Sequence, residues 1–319
     1  MLGGNGHIKI FAGSASKQFA QKMCDYLGSP MGDCTTIHFS EGNTYVRFNE
    51  CIRDMDVYFV QTIGLNANNE FMELLFYIDA AKRASANSIS VIMPYFSYAK
   101  GDKKDEPRVS IRARVCADAI EMAGADRVVT MDLHAAQIQG FFDIPVDNLL
   151  GNPIFVDYYG ELFGAQAEEM VVVSPDVGSV ARARAFAQKL GMSLAIVDKR
   201  RPKANSCEVM NIIGDVKGRD CILFDDMVDT AGSICNAAKA IIDVGGANSV
   251  HACASHAVLS GPALERLNES PINEMAFLNT IPAVPASQCP KIKYLSVAHM
   301  FADAIERIYS DLSVSKLFS

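Results

Sequence analysis

Two adjacent carboxylates, Asp225 and Asp226, follow the apolar run Ile222-Leu223-Phe224 and precede a loop of small polar residues, Asp229-Thr230-Ala231-Gly232-Ser233. The apolar run reads as the end of a buried strand. The spacing of Ile234, Ala238, Ile241 and Ile242 predicts a helix over 233–244. A strand, a small-residue loop and a helix start leave backbone N–H groups free, and the helix dipole adds to their attraction for a phosphate. Thr230 and Ser233 contribute hydroxyl donors. Carboxylates at the carboxyl end of a strand lie where open α/β sheets bind ligands, and they can accept hydrogen bonds from the vicinal hydroxyls of a ribose. A lone Gly-Ser turn would be an ordinary capped helix. The ordered string reads instead as a ribose-phosphate site.

Other chemistry-bearing residues also cluster near expected strand ends. Asp132 and His134 follow a strand expected over 126–131 and flank Leu133. In an extended segment, positions two apart point the same way, so both could face a metal-bound triphosphate. Asp176 closes a strand over 170–174. Lys199 and Arg201 are likewise two apart after a strand over 193–198; lysine is a mobile point charge and arginine a planar fork. An isolated histidine is usually structural, and a cationic run is usually a solvated surface. Here the basic segments Lys100–Arg114 and Lys199–Lys203 stand beside strand ends in a chain of net charge −8. Concentrated cations in an acidic protein point to small anionic ligands and away from nucleic acid.

These residues need a framework, and 319 residues suffice for two domains with their own cores. Strands are expected at 7–12, 56–61, 88–94, 126–131, 170–174, 193–198, 220–225 and 248–255. Helices are expected at 16–27, 70–84, 111–123, 178–190, 233–244 and 297–309. Alternation of this kind implies parallel sheets flanked by helices. The break near Asp147–Pro153 separates a domain 1–149 from a domain 150–319. The last helix has apolar residues at Val297, Met300, Phe301, Ile305 and Ile308, and is expected to pack back on the N-terminal domain. No apolar run reaches the ~20 residues of a membrane span, and without a basic n-region and a following apolar h-region at the start, secretion is not expected. Nine cysteines without paired spacing read as reduced thiols in a cytoplasmic protein and offer no zinc site.

The loop at 225–233 resembles the ribose-5-phosphate loop of the phosphoribosyltransferase fold. A second stretch, Asp132-Leu-His-Ala-Ala-Gln-Ile-Gln-Gly-Phe-Phe-Asp-Ile-Pro-Val-Asp147, resembles the signature of the ribose-phosphate pyrophosphokinase (PRPP synthetase) family. The resemblance extends to Ser174-Pro175-Asp176, Asp198-Lys-Arg-Arg-Pro-Lys-Ala-Asn205, Ser260-Gly261-Pro262 and Ser313-Val-Ser-Lys-Leu-Phe318. It implies an α/β fold of two phosphoribosyltransferase-like domains, the first for ATP and the second for ribose 5-phosphate. The implied reaction moves the β,γ-pyrophosphoryl group of ATP onto O1 of ribose 5-phosphate and releases AMP.

By the same resemblance, Lys199 is the key catalytic lysine, and Arg201 touches substrate. Lys103, Lys104 and Arg108 belong to a catalytic loop within 98–114 that closes over the ATP phosphates. Asp225, Asp226, Asp229, Thr230, Ala231, Gly232 and Ser233 hold ribose 5-phosphate. Phe39, Glu41, Asn43, Lys100, Gly101 and His134 bind ATP, and His134, Asp176 and Asp132 face Mg²⁺. Imidazole is a poor Mg²⁺ ligand, so His134 is expected to act as much through phosphate or metal-bound water. Arg53, Gln139, Asp147, Asn148, Ser313 and Ser315 match a regulatory site for inorganic phosphate and ADP. A homohexamer built from dimers is implied, with ATP sites shared between subunits.

The chain departs from the family pattern in places. Many members have Arg-Gln where it has Lys100-Gly101, and Asp or Asn before Glu where it has Glu41 and Asn43. Phe224, Ser179, Ser110 and Cys51 replace the more usual Val, Gly, Pro and Ser. These changes fall mainly on the nucleotide segments, so weaker ATP binding and looser base discrimination are expected. Two other functions share the fold: a non-catalytic synthetase-associated regulatory subunit, and a phosphoribosyltransferase that attaches a base. The retained lysines of the catalytic loop disfavour the first. The 132–147 signature and the two-domain length disfavour the second.

Overall fold

The computed structural model describes residues 7–200 and 209–318, which fall into two compact α/β units. The first comprises the chain through Leu150 together with Thr280–Pro282 and Ser296–Ser319; the second comprises Gly151–Asn279 and Ala283–Leu295. No helix among the described residues is long and apolar enough to cross a membrane.

The first unit contains β1 (Ile8–Ala12), α1 (Lys17–Leu27), β2 (Cys34–His38), β3 (Thr44–Phe48), β4 (Asp56–Val60), α2 (Ala67–Arg83), β5 (Ser88–Met93), α3 (Arg112–Ala123), β6 (Arg127–Met131) and β7 (Val146–Leu149). Its five-stranded sheet has the order β1-β4-β5-β6-β7, with every pair parallel. Val57, Phe59, Val91 and Val128 are fully or almost fully buried. Such near-continuous apolar strands are what a sheet covered on both faces requires. β2 and β3 form a separate antiparallel hairpin, which the alternation of expected elements did not include.

The second unit contains α4 (Asn152–Phe163), β8 (Met170–Ser174), α5 (Val180–Leu190), β9 (Ser193–Arg200), β10 (Val209–Ile213), β11 (Asp220–Val228), α6 (Gly232–Asp243), β12 (Ser249–Ala257), α7 (Ala263–Glu269), β13 (Ile272–Leu278) and β14 (Ile292–Leu295). Its sheet runs β10-β9-β8-β11-β12-β13-β14, parallel except for the β9–β10 pair. Phe224 stacks on Phe186 of α5 at 4.6 Å between ring centroids and meets Phe155 of α4 edge-on at 5.9 Å. This aromatic cluster accounts for Phe224: the larger ring fills space between β11 and two helices.

The last helix, α8 (Ala298–Tyr309), belongs to the first unit. There Phe301 meets Phe19 of α1 edge-to-face at 5.4 Å. The eight cysteines among the described residues are all free thiols.

Three local expectations change. β11 does not end at Phe224: parallel pairing with β12 continues through Met227↔His256 and Val228↔Ala257, so Asp225 and Asp226 lie within the strand. Lys199 is also inside a strand, paired in register with Met210. Asp132 has φ +42°, so the extended alternation that placed it on one face with His134 does not apply. Arg201 lies outside the described residues.

Candidate functional site

The second unit gathers the residues expected to bind ribose phosphate, apart from Arg201, which lies outside the described residues. β11 delivers Asp225 and Asp226, the loop turns through Asp229 and Thr230, and α6 starts at Gly232. Ala231 has φ +58° immediately before α6. A non-glycine residue in this left-handed region is strained, and such strain persists where surrounding contacts impose it. Those contacts are visible. The Ser260 hydroxyl donates to Asp229, and its backbone N–H donates to the Asp229 carbonyl at 3.0 Å. Arg266 Nη1 donates to the Thr230 carbonyl at 2.9 Å. Ser233 is exposed in the first turn of α6, where backbone N–H groups lack intrahelical acceptors. This is a fixed loop ahead of a helix N-terminus, the geometry that favours an anion.

The carboxylates beside it are crowded. Burial first, and then the Asp226 and Asp176 charges, push the Asp225 carboxyl up to about 7. Asp225 Oδ1 accepts the Asp226 backbone N–H at 2.9 Å and the Ser179 hydroxyl at 3.2 Å. Asp226 faces Arg182 Nη1 of α5 at 3.3 Å. Asp176, between β8 and α5, accepts the Ser179 N–H at 2.8 Å, while Ser174 donates to the Asp176 carbonyl at 2.7 Å. Thus Asp176, Ser179 and Asp225 form one connected set. Arg182 and Arg266 were not expected at the site; each meets it through tertiary contact, which local motif spacing does not reveal.

In the first unit, the expected nucleotide residues lie on two segments. Phe39, Glu41 and Asn43 form the exposed tip of the β2–β3 hairpin. That tip is closed by Phe39 N–H to the Asn43 carbonyl at 2.8 Å and by Gly42, whose φ of +91° suits glycine. The hairpin's base is anchored by Glu73 of α2, which is fully buried. Its carboxylate accepts four hydrogen bonds: Ser14 N–H at 3.0 Å, Ser14 Oγ at 2.5 Å, Thr36 Oγ1 at 2.7 Å and Gln61 Nε2 at 3.0 Å. With its hydroxyl proton given to Glu73, Thr36 accepts from Tyr77, 3.0 Å away. This network ties β2 to the ends of β1 and β4.

The second segment runs from a short 3-10 helix, Ser97–Gly101, to α3. Lys100, Gly101, Asp102, Lys103, Asp105, Glu106, Val109, Ser110 and Arg112 line a cavity of about 440 Å³ there. Lys103, Lys104 and Arg108 are exposed, and Arg108 has φ +69°. His134 is exposed and Asp132 half-buried in the turn after β6. No group of three or more His, Cys, Asp and Glu side chains among the described residues could hold a metal ion by itself. Asp132 and His134 belong to the first unit and Asp176 to the second.

The expected regulatory residues already have structural partners in several cases. Asp147 pairs with Arg127 at 2.6 Å, and Asn148 Oδ1 accepts the Leu133 N–H at 3.1 Å. Gln139 donates to the Ala136 carbonyl at 2.9 Å, and the Ser313 and Ser315 hydroxyls are 2.7 Å apart. Arg53 is exposed between β3 and β4.

Known proteins resemble the chain throughout. Residues 8–124 match the N-terminal domain of ribose phosphate pyrophosphokinase, and residues 199–319 match the phosphoribosyl synthetase-associated domain. The ribose-phosphate pyrophosphokinase of Clostridium tetani is 52% identical over 98% of this chain and 97% of its own length. That of Clostridium perfringens is 53% identical over 98% of each chain. Phosphoribosylpyrophosphate synthetase from Mycobacterium smegmatis has a solved structure that superposes with a TM-score of 0.89 at 39% identity, covering 96% of this chain and 99% of that one. Identity of this extent over nearly the whole length of both chains means that the chain belongs to the ribose-phosphate pyrophosphokinase family.

Proposed function

We infer that the protein is an ATP:ribose-5-phosphate pyrophosphotransferase. The O1 hydroxyl of ribose 5-phosphate attacks the β-phosphorus of ATP. The bond between that phosphorus and the oxygen bridging to the α-phosphorus breaks, the hydroxyl proton is lost, and AMP leaves as PRPP forms. The observation that carries this reading is the strained, cross-braced loop Asp229–Ser233 beside the Asp225–Asp226 pair. It offers N–H and hydroxyl donors for a 5-phosphate and carboxylate acceptors for the sugar hydroxyls.

Phosphoryl chemistry asks a protein mainly to position reactants and neutralise charge. Thr230, Ser233 and the first N–H groups of α6 bind the sugar phosphate. Asp225 and Asp226 orient the ribose, and Arg182 balances their charge. Lys199 and Arg201 neutralise the transferring group. The hairpin tip Phe39–Asn43 and the Lys100–Arg112 segment hold the nucleotide, with Lys103, Lys104 and Arg108 excluding water. The domain 1–149 therefore serves ATP, and 150–319 serves ribose 5-phosphate apart from the returning last helix.

Mg²⁺ suits the residues present. It favours oxygen ligands and is usually held by one or two carboxylates together with waters and substrate phosphates. Asp132 and Asp176 are such carboxylates, with His134 touching phosphate or metal-bound water. When bound, the ion would neutralise the triphosphate and polarise it for attack. Inorganic phosphate and ADP acting at Arg53, Gln139, Asp147, Asn148, Ser313 and Ser315, a homohexamer, and a cytoplasmic location complete the proposal. The test is AMP release from ATP and ribose 5-phosphate with Mg²⁺ and phosphate. Absence of AMP would leave a non-catalytic regulatory subunit as the answer.

A further inference from the structure

Gly101 is buried between the half-buried Lys100 and Asp102, and the group covering it is Arg112. A Cβ built on Gly101 would fall closer than 3.0 Å to Arg112 Nε, 3.0 Å from Arg112 Cβ and 3.1 Å from Arg112 Cζ. Real Cβ atoms do not approach other atoms so closely. A side chain at position 101 and Arg112 in this conformation therefore exclude each other. The arginine stem lies in the space where a side chain of residue 101 would begin.

Nothing in the local structure calls for an arginine there. Arg112 is the first residue of α3, where the helix dipole disfavours a cation. Its side chain makes no ion pair or hydrogen bond among the described residues, whereas Arg114, two residues on, pairs with Asp118 at 2.8 Å. Arg112 is nevertheless turned onto the wall of the 440 Å³ cavity that Lys100 and Lys103 also line. Three cations from two separate elements thus border one open space, together with the carboxylates of Asp102, Asp105 and Glu106. Arginine is the side chain suited to a phosphate, because its planar fork donates two parallel hydrogen bonds.

We propose that Arg112 binds the triphosphate of the nucleotide, supplying from α3 the polar contact that Gly101 cannot make. Gly101 and Arg112 then act as a pair: the glycine is small so that the arginine can cross it. The proposal rests on the nucleotide role given above to the Lys100–Arg112 segment. It also removes the basis for expecting weak ATP binding from the missing side chain at 101. Because phosphates are common to all nucleoside triphosphates, the contact adds affinity without choosing the base.

The test is a double-mutant cycle on the full-length enzyme, reading KM and kcat for ATP and for GTP with ribose 5-phosphate saturating. Arg112→Ala is expected to raise KM for both nucleotides about tenfold, the scale of one charge-assisted hydrogen bond, with kcat and Tm little changed. Arg112→Lys should recover part of the loss, since it keeps the charge and lacks the fork. Gly101→Gln should raise KM by displacing Arg112, and the double variant should be no worse than the worse single one. Additive effects, a change confined to one base, or an unchanged KM in Arg112→Ala would each overturn the proposal. Lys100→Ala separates the two levels of the argument. If it raises KM for ATP while Arg112→Ala does not, only the role of Arg112 fails. If neither variant moves KM in an active enzyme, the nucleotide assignment of the whole segment fails.

Discussion

Ser179 donates its hydroxyl to Asp225 Oδ1 across 3.2 Å, while its backbone N–H donates to Asp176 Oδ1 at 2.8 Å. One small residue at the start of α5 thus holds two carboxylates, one within β11 and one just after β8, in fixed positions. Two carboxylates near each other are held together at a cost, since each raises the free energy of ionising the other. Arg182 sits against Asp226, with Nη1 3.3 Å from its carboxylate. The remaining repulsion falls on Asp225. A site that binds a hydroxylated ligand can use such an acceptor, and it is less stable for having it.

The first prediction follows from that repulsion. Asp225 has a folded-state pKa of about 7 against an ordinary 3.8, because it is buried beside Asp226 and Asp176. Between those values the folded protein binds the proton and the unfolded chain does not, so stability falls as pH rises through this window. Below pH 3.8 the effect vanishes, and above about 7 it is complete, at most ~4 kcal/mol. Asp225→Asn should therefore raise the Tm of ligand-free protein at pH 8 and leave it nearly unchanged near pH 4, while raising KM for ribose 5-phosphate. Thermal melts of the two proteins across this pH range are the measurement. A gain in Tm that does not grow with pH would show that ionisation of Asp225 is not its source.

A second prediction concerns Glu73. Its carboxylate accepts from Ser14 twice, from Thr36 and from Gln61, and is wholly removed from water. Glu73→Ala strands the buried Gln61 amide and removes the acceptor of Ser14 and the half-buried Thr36, and leaving a buried polar group unpaired costs about 1–3 kcal/mol. Chemical denaturation should register that loss. Since Thr36 is on β2, the hairpin tip with Phe39, Glu41 and Asn43 should also lose its fixed direction. KM for ATP should rise more than KM for ribose 5-phosphate. Equal changes in both would mean that Glu73 supports the fold without orienting the hairpin.

The sequence made the main framework legible because buried parallel strands are strongly patterned. Val57–Val60, Val91–Met93 and Val171–Val173 are unbroken apolar runs, and each is a central strand. The β2–β3 hairpin escaped notice because its residues, such as the half-exposed Thr35 and Thr36 and the exposed Arg47, are mixed in character. The end of β11 was misplaced for a related reason. Asp225 and Asp226 look like loop residues, yet the ladder to β12 holds them in the strand. The loop ahead of α6 could be read from its small residues and its position before a helix. The contacts of Ser179, Arg182, Arg266 and Arg112 could not. Each depends on a contact between elements distant in the fold, or on a space left empty by a glycine.

The third prediction places the chemistry. Lys199 lies in β9, in register with Met210 of β10, and so on a hydrogen-bonded ladder rather than in a loop. A strand fixes the Cα of a catalytic side chain more tightly than a loop does, and a preorganised cation aimed at developing charge costs no reorganisation during reaction. Residues Ile196 and Val197 on the same strand pair with Ile213 and Ile212, and Val197 is fully buried, so the segment leading to Lys199 is anchored in the core. Removing one such electrostatic group typically lowers kcat by about 10²–10³, or roughly 3–4 kcal/mol. Lys199→Ala is accordingly expected to lose activity on this scale in kcat, with KM for ribose 5-phosphate altered far less, because the proposal gives the sugar phosphate to the Asp229–Ser233 loop. Lys199→Arg should recover only part, since its planar fork keeps the charge but cannot reach the same point geometry. Steady-state kinetics on the two variants, alongside melts to verify folding, decide the matter. A Lys199→Ala enzyme with near-normal kcat would move the catalytic cation elsewhere, and the exposed Lys103, Lys104 and Arg108 would be the next positions to substitute.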